Sequence, residues 1–333
     1  MGDQPFATSE YRLPEPVSGP CEIEFDDDGR AWIEEVTGNA ITRFDPSSKQ
    51  FTRFPVDQPL SVPGGMEIGP DGGLWFAQVS RNLITRLDPA DGSMESSTIP
   101  AALRITAPLQ AGTALASDVT TGKDGAMWFT MSGVAALGRV DIETREVEVI
   151  PLPTPLSTTT LITQIIQPGP GNLLVVSLGA ANKIATIDVF TRQIKEYVVP
   201  TAASLPQGVT TDRHGRVWFT ESLGQKFGWL DIATGKIKEF SILELRGLGD
   251  LSLGNPLPFP GPIREGSDGK IYIAQGGFEG GNKIGQFDPS TGAYREFVVP
   301  TPMAGICDLN STQDGAIWFG EFTGNAIGRL DIG

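Results

Sequence analysis

The sequence predicts an all-β fold: a seven-bladed β-propeller with four-stranded blades, closed by the N-terminal strand in the last blade. Three observations carry this. A turn followed by a Trp-aromatic strand recurs as DGRAWIEE at Asp28, DGGLWFAQ at Asp71, DGAMWFTM at Asp124, HGRVWFTE at His214, DGKIYIAQ at Asp268 and DGAIWFGE at Asp314. A degenerate copy, PGNLLVVS, starts at Pro170. The turn glycines Gly29, Gly72, Gly125, Gly171, Gly215, Gly269 and Gly315 stand 43 to 54 residues apart, about the length of one blade. Second, each unit carries a further phrase, as in GNAITRFDPSSKQ and NKIGQFDPSTG, and most end on a third, as in IKEYVVP and YREFVVP. Third, the last unit stops at GRLDIG after its third strand, and a strand of the missing type, EYRLPEP at residues 10–16, opens the chain.

Each element follows from local chemistry. The D-G, D-P and T-G pairs form turns, because glycine accepts positive φ and aspartate bonds nearby backbone. Between them, β-branched and aromatic residues alternate with polar ones, the period of a strand. No segment shows a long 3.6-residue apolar period, so helix is minor. Closing the ring with the first strand leaves no unpaired break between first and last blades. The expected organisation is a tail over residues 1–9 and one propeller domain over residues 10–333.

Composition narrows the function. The chain has 40 acidic and 25 basic residues, a net charge of −15. That speaks against nucleic acid as a partner, since phosphate binding draws on clustered Lys and Arg. It speaks equally against anionic membrane. No apolar run approaches the ~20 residues of a membrane helix. The N-terminus lacks a basic region followed by an apolar stretch, so no secretory signal is read and the expected location is cytoplasmic. The two cysteines cannot form a disulfide scaffold and suit a reducing compartment. The single histidine excludes mechanisms that need two.

The phrases DG-x-x-WFTE, N-x-IGR-x-DP-x-TG and EY-x-x-P resemble the virginiamycin B lyase (streptogramin lyase) family, over nearly the whole chain. The resemblance implies a seven-bladed propeller. It also implies a reaction that opens a cyclic depsipeptide by elimination across an ester C–O bond, with Mg²⁺, a catalytic His and a Glu. The Glu, which closes the WFTE phrase, maps to Glu321. The His, seven residues before the Asp of the last DG, maps to Cys307, so this chain departs from the pattern at the base. The one histidine, His214, stands in the RHGR turn in place of the usual Asp and reads as a solvent-facing residue.

In a propeller, ligands sit at the mouth where loops lead into the innermost strands. Counting from the turn glycines places Cys21, Gly64, Ser117, Thr163, Gln207, Gly261 and Cys307 at the start of those strands. Glu22, Gly65, Asp118, Gln164, Gly208, Pro262 and Asp308 come next. The second strands end near the same mouth at Glu35, Gln78, Met131, Ser177, Glu221, Gln275 and Glu321. Crowded carboxylates raise one another's pKa and can act as acid and base near neutral pH. The candidate catalytic residues are Glu22, Asp118, Asp308 and Glu321. Gln164, Gln207, Glu35, Glu221 and Arg264 are candidates for binding substrate. The competing reading is structural: carboxylates that cap strand ends or pair with Arg43, Arg86, Arg139 and Arg329.

Two insertions, starting at Pro100 and Ile242, enter innermost strands. Leu109, Leu251, Leu257 and Phe259 are expected to form apolar lids over the mouth, together with Leu243 and Leu245. Cys21 and Cys307 occupy equivalent positions in blades that become neighbours on closure. A disulfide would need their Cα atoms within ~7 Å; free, partly buried thiols are the expected state.

The functional expectation is an enzyme of the lyase or cyclase kind, acting on an apolar small molecule of secondary metabolism without metal or other cofactor. Elimination, cyclisation or pericyclic chemistry would be served by shape, desolvation and carboxylates. The alternatives are a Mg²⁺-dependent streptogramin-type C–O lyase, a metal-dependent lactonase and a non-catalytic ligand-binding propeller.

Overall fold

The structure, a computed structural model, describes residues 8–100, 114–154, 165–246, 257–276, 281–312 and 314–332. Seven antiparallel four-stranded sheets are arranged in a ring. Their innermost strands are Pro20–Phe25, Pro63–Ile68, Ala116–Thr121, Ile166–Pro168, Pro206–Thr211, Pro260–Glu265 and Ile306–Thr312. Each contacts the next around the ring, and the last contacts the first. The closing strand is Thr8–Arg12, paired with Ala326–Asp331 from Thr8↔Leu330 to Arg12↔Ala326. It begins two residues before the expected segment and ends at Arg12, before the prolines of LPEP that cannot donate to a ladder.

The repeated phrases explain the packing. Trp32, Trp75, Trp128 and Trp218 are fully buried between blades. Each large apolar side chain buried in this way contributes about 1.5–3 kcal/mol. The indole N–H needs a partner, and the turn aspartates supply it: Trp75 Nε1 donates to Asp71 at 3.0 Å and Trp128 Nε1 to Asp124 at 2.9 Å. Those aspartates also hold the third-strand arginines, Arg86 at 2.6 Å and Arg139 at 2.7 Å. In the fifth blade, where His214 replaces the usual Asp, Asp212 bonds Trp218 Nε1 at 2.8 Å and Arg216 at 2.7 Å. His214 is left exposed in its turn. The glycine of GR in the third strand is also required by packing: at Gly138 a Cβ would overlap the Phe129 ring.

The second insertion does not begin as a loop. Ile242–Arg246 forms a helical turn, with Ile242 buried and Leu245 packed against the cluster of Trp218, Phe227 and Phe287. Leu245 therefore belongs to the contact between the fifth and sixth blades and not to a lid.

Candidate active site at the channel mouth

The inner strands line a central channel. Its mouth is a cavity of about 240 Å³ bordered by Glu22, Glu34, Asp118, Asp308, Arg264 and Gln207. Val36, Val62, Pro63, Val79, Ile165 and Pro262 give it apolar walls. The mouth gathers Glu22, Asp118 and Asp308, as the count from the turn glycines expects. Beyond holding a place in the ring, each accepts a backbone N–H from the next blade. Met66 N donates to Glu22 Oε2 at 2.6 Å, Ile166 N to Asp118 Oδ2 at 2.7 Å and Ile23 N to Asp308 Oδ2 at 3.4 Å. These carboxylates latch blade to blade as well as facing the cavity.

Arg264 is the cation of this group. Its Nη2 lies 3.4 Å from Asp308 Oδ1 and its Nη1 donates to Ile263 O at 3.0 Å. Asp308, Glu24, Glu22 and Asp118 all act to keep the guanidinium charged. Burial pushes Glu22 well above the usual carboxylate range, and Asp118 and Asp308 add repulsion. Asp118 is raised to about 7 by burial, against the lowering pull of the Ile166 N–H and Arg264. Burial raises Asp308 too, with Arg264 opposing it. The mouth therefore combines carboxyls whose protonated forms burial favours with one, Asp118, poised to exchange a proton near neutral pH.

Three acids of the channel escape the count. Glu34 takes backbone N–H bonds from Glu22 and Gly65, and burial raises it well above its ordinary value. Glu24 and Glu67 stand opposite Trp32 and Trp75, further along the inner strands. Burial raises Glu24 well above its ordinary value and Glu67 to about 7. The signal was present in the strand period. Glu34 follows Trp32 by two and shares its face toward the second blade.

Other expected residues lie elsewhere. Glu35 shares the opposite face with Ile33; it bonds Thr42 Oγ1, and Arg53 Nε donates to it at 3.0 Å. Glu221 and Glu321 end the equivalent strands, and none of the three borders the cavity. Burial raises Glu221 to about 7, beside Ser204 and Glu239. Burial and then Glu10 raise Glu321 to about 8. Leu257 is half exposed, and Phe259 donates its N–H to Gln225 Oε1 at 2.9 Å; neither borders the cavity. Gln164, Leu109 and Leu251 lie outside the described residues. Ile165 holds the ring position that counting gave to Gln164: its N–H bonds Ser177 Oγ, as the Asp118 N–H bonds Thr130 Oγ1. The two hairpins are equally long between these partners, but the turn differs. Gly169 N bonds Leu173 O as Gly122 N bonds Ala126 O, so Asn172 and not Gly171 holds the place of Gly125, and a count from the glycine is off by one.

The cysteines correct the expectation of free thiols. Cys21 and Cys307 form a disulfide with Cα atoms 5.3 Å apart. Ring closure brings two equivalent strand positions, 286 residues apart in sequence, within bonding reach.

These groups predict a pH profile for stability. Glu67, Asp118 and Glu221 are raised to about 7 and Glu321 to about 8, from ordinary values of 4.5 and, for Asp118, 3.8. Between the unfolded and folded values the native state holds more protons, so stability falls as pH rises through that window. Asp45 moves the other way, to about 2, held by the Ser47 and Ser48 hydroxyls. Asp212 is buried, yet the N–H groups of Trp218 and Arg216 hold it below its ordinary value. Their stabilisation is lost only in acid. The melting temperature should peak near about pH 5 and decline by pH 8. Thermal melts that rise steadily from pH 5 to pH 8 would contradict the buried acids.

Comparison with known proteins agrees with this architecture. Residues 6–247 match the Virginiamycin B lyase family. The crystal structure of selenomethionine-substituted virginiamycin B lyase from Staphylococcus aureus superposes with a TM-score of 0.82 at 25% identity, covering 98% of this chain and 99% of that one. A streptogramin B lyase structure gives 0.81 at 25% identity, covering 98% of each chain. A catalytically inactive variant of the S. aureus enzyme with quinupristin shares the fold, with a TM-score of 0.82 at 24% identity over 98% of this chain and 99% of that one. No curated protein matches the chain. With the repeat, the ring closure and the match over most of its length, the chain belongs to the virginiamycin B lyase family.

Proposed function

We propose that the protein is a lyase that eliminates across a C–O bond of a small, largely apolar molecule, with the channel-mouth carboxyls as acid and base. One observation carries this reading: Arg264 is buried among Glu22, Asp118 and Asp308, and each of these carboxyls is raised. Asp118 removes a proton from the carbon next to the C–O bond. As the C=C bond forms and the C–O bond breaks, protonated Glu22 gives its proton to the leaving oxygen. Arg264 offsets the negative charge that builds on the substrate. The two carboxyls then re-equilibrate, and neither water nor an oxidant is consumed. The alkene left behind is reactive, and its capture within the pocket would make the overall reaction a cyclisation.

Family membership favours a second reading, a Mg²⁺-dependent streptogramin-type lyase. The residues at hand do not fit that metal. Cys307, to which the resemblance maps the family's His, is in a disulfide. Glu321 is buried beside Glu10 and Thr301, away from the cavity. Among the described residues, no group of three His, Cys, Asp or Glu side chains is placed to hold a metal ion.

The test incubates the protein with quinupristin, and separately with aryl-alcohol natural products, in ¹⁸O-water with EDTA. Elimination without ¹⁸O incorporation and without metal is the expected result. Turnover lost in EDTA and restored by Mg²⁺ would establish the second reading. Incorporated label would mean hydrolysis and no lyase. Binding without product from either substrate class would favour a ligand-binding propeller.

A further inference from the structure

We propose that the Cys21–Cys307 disulfide is a thiol-exchange site that locks the ring closure and thereby sets the geometry of the acidic mouth. The bond joins the inner strands of the first and last blades, the junction where the two ends of the chain meet. Carboxylate latches hold three of the inner junctions, and this one is the longest. Ile23 N lies 3.4 Å from Asp308 Oδ2, whereas Met66 N and Ile166 N lie 2.6 and 2.7 Å from Glu22 and Asp118. Asn310 Nδ2 adds a bond to Ile23 O at 2.8 Å. The covalent link thus stands at the junction with the longest of the three carboxylate latches.

Access and consequence both follow from position. Cys21 and Cys307 are partly exposed and border the cavity, so a small dithiol can reach the sulfurs through the mouth. Each is followed directly by an acid of the site, Glu22 after Cys21 and Asp308 after Cys307. Asp308 is also the ion-pair partner of Arg264. In the exchange, a thiolate of the reductant attacks one sulfur and forms a mixed disulfide. Its second thiol then closes the reductant's own disulfide. Two electrons and two protons pass to the protein, leaving two cysteine thiols. The first and last blades are then held without a covalent link, by hydrogen bonds and by the packing of Ile23 and Phe25 against the Trp318 cluster, and the Ile23–Asp308 latch opens more often.

The activity consequence rests on the proposed function; the structural one does not, and it is tested without turnover. Thiols are counted in denatured, unreduced protein with Ellman's reagent. Amide exchange at Ile23, Met66 and Ile166 is then followed with and without dithiothreitol, in wild type and in Cys21→Ser/Cys307→Ser. The expected count is no free thiol. Reduction should speed Ile23 exchange at least tenfold and leave Met66 and Ile166 within twofold. The double variant should match reduced wild type and be insensitive to dithiothreitol. Two thiols before reduction, or Ile23 exchange unchanged by reduction, would overturn the proposal. An intact lock in a protein that eliminates nothing would sink the proposed function alone.

Discussion

Removal of residues 1–16 should lower the melting temperature by roughly 6–12 °C and leave a chain that associates through the exposed edge. The deletion takes away the whole of Thr8–Arg12, whose five residues pair with Ala326–Asp331. Tyr11 packs on Phe44 at a centroid distance of 4.8 Å and on Trp318 at 5.9 Å, and Leu13 is buried in the same cluster. Burial of these two side chains is worth about 3–6 kcal/mol. The Glu10 carboxylate also accepts the Thr301 N–H and hydroxyl, both at 2.9 Å, tying the last blade to the sixth. A melt equal to that of the full chain would show that the ring holds without its closing strand.

This closure was legible because it rests on counting strands per repeat, and local turn chemistry marks every strand. The same counting shows where sequence reasoning stops. It assumes one residue spacing for all blades, and the fourth blade breaks that assumption because Gly171 stands one position earlier in its turn than Gly125 does. Ile165 and not Gln164 therefore takes the ring position. At the strand ends, proximity to the mouth was taken for orientation toward it. Glu34 and Glu35 are adjacent, yet a strand sends them to opposite faces. One meets the Glu22 and Gly65 amides at the cavity and the other meets Thr42 and Arg53 inside the blade. The disulfide was a matter of distance between residues 286 apart, which no local pattern reports. Close approach of backbones was equally hidden: at Gly65, with φ of 49°, a Cβ would overlap the Asp118 backbone, so the second blade gives up a side chain to let that acid stand at the mouth.

Asp118→Asn and Glu22→Gln should each cut turnover by about 100-fold or more, the usual loss when a positioned acid or base is removed. Each amide keeps an oxygen that can accept the neighbouring blade's N–H, so the latches to Ile166 and Met66 are retained. Both substitutions also remove a buried group whose ionisation the fold opposes. Their melting temperatures at pH 8 should therefore equal or exceed wild type while activity collapses. That opposition of signs separates catalysis from architecture, because a merely structural carboxylate would lose stability with function. The pH profile separates the two residues. Asp118 is raised to about 7, so wild-type rate should climb through that pH as the base ionises. Asp118→Asn should flatten this limb, whereas Glu22→Gln should keep it at reduced height. Full activity in both variants would return these acids to their role as blade latches, and unfolding of both would do the same.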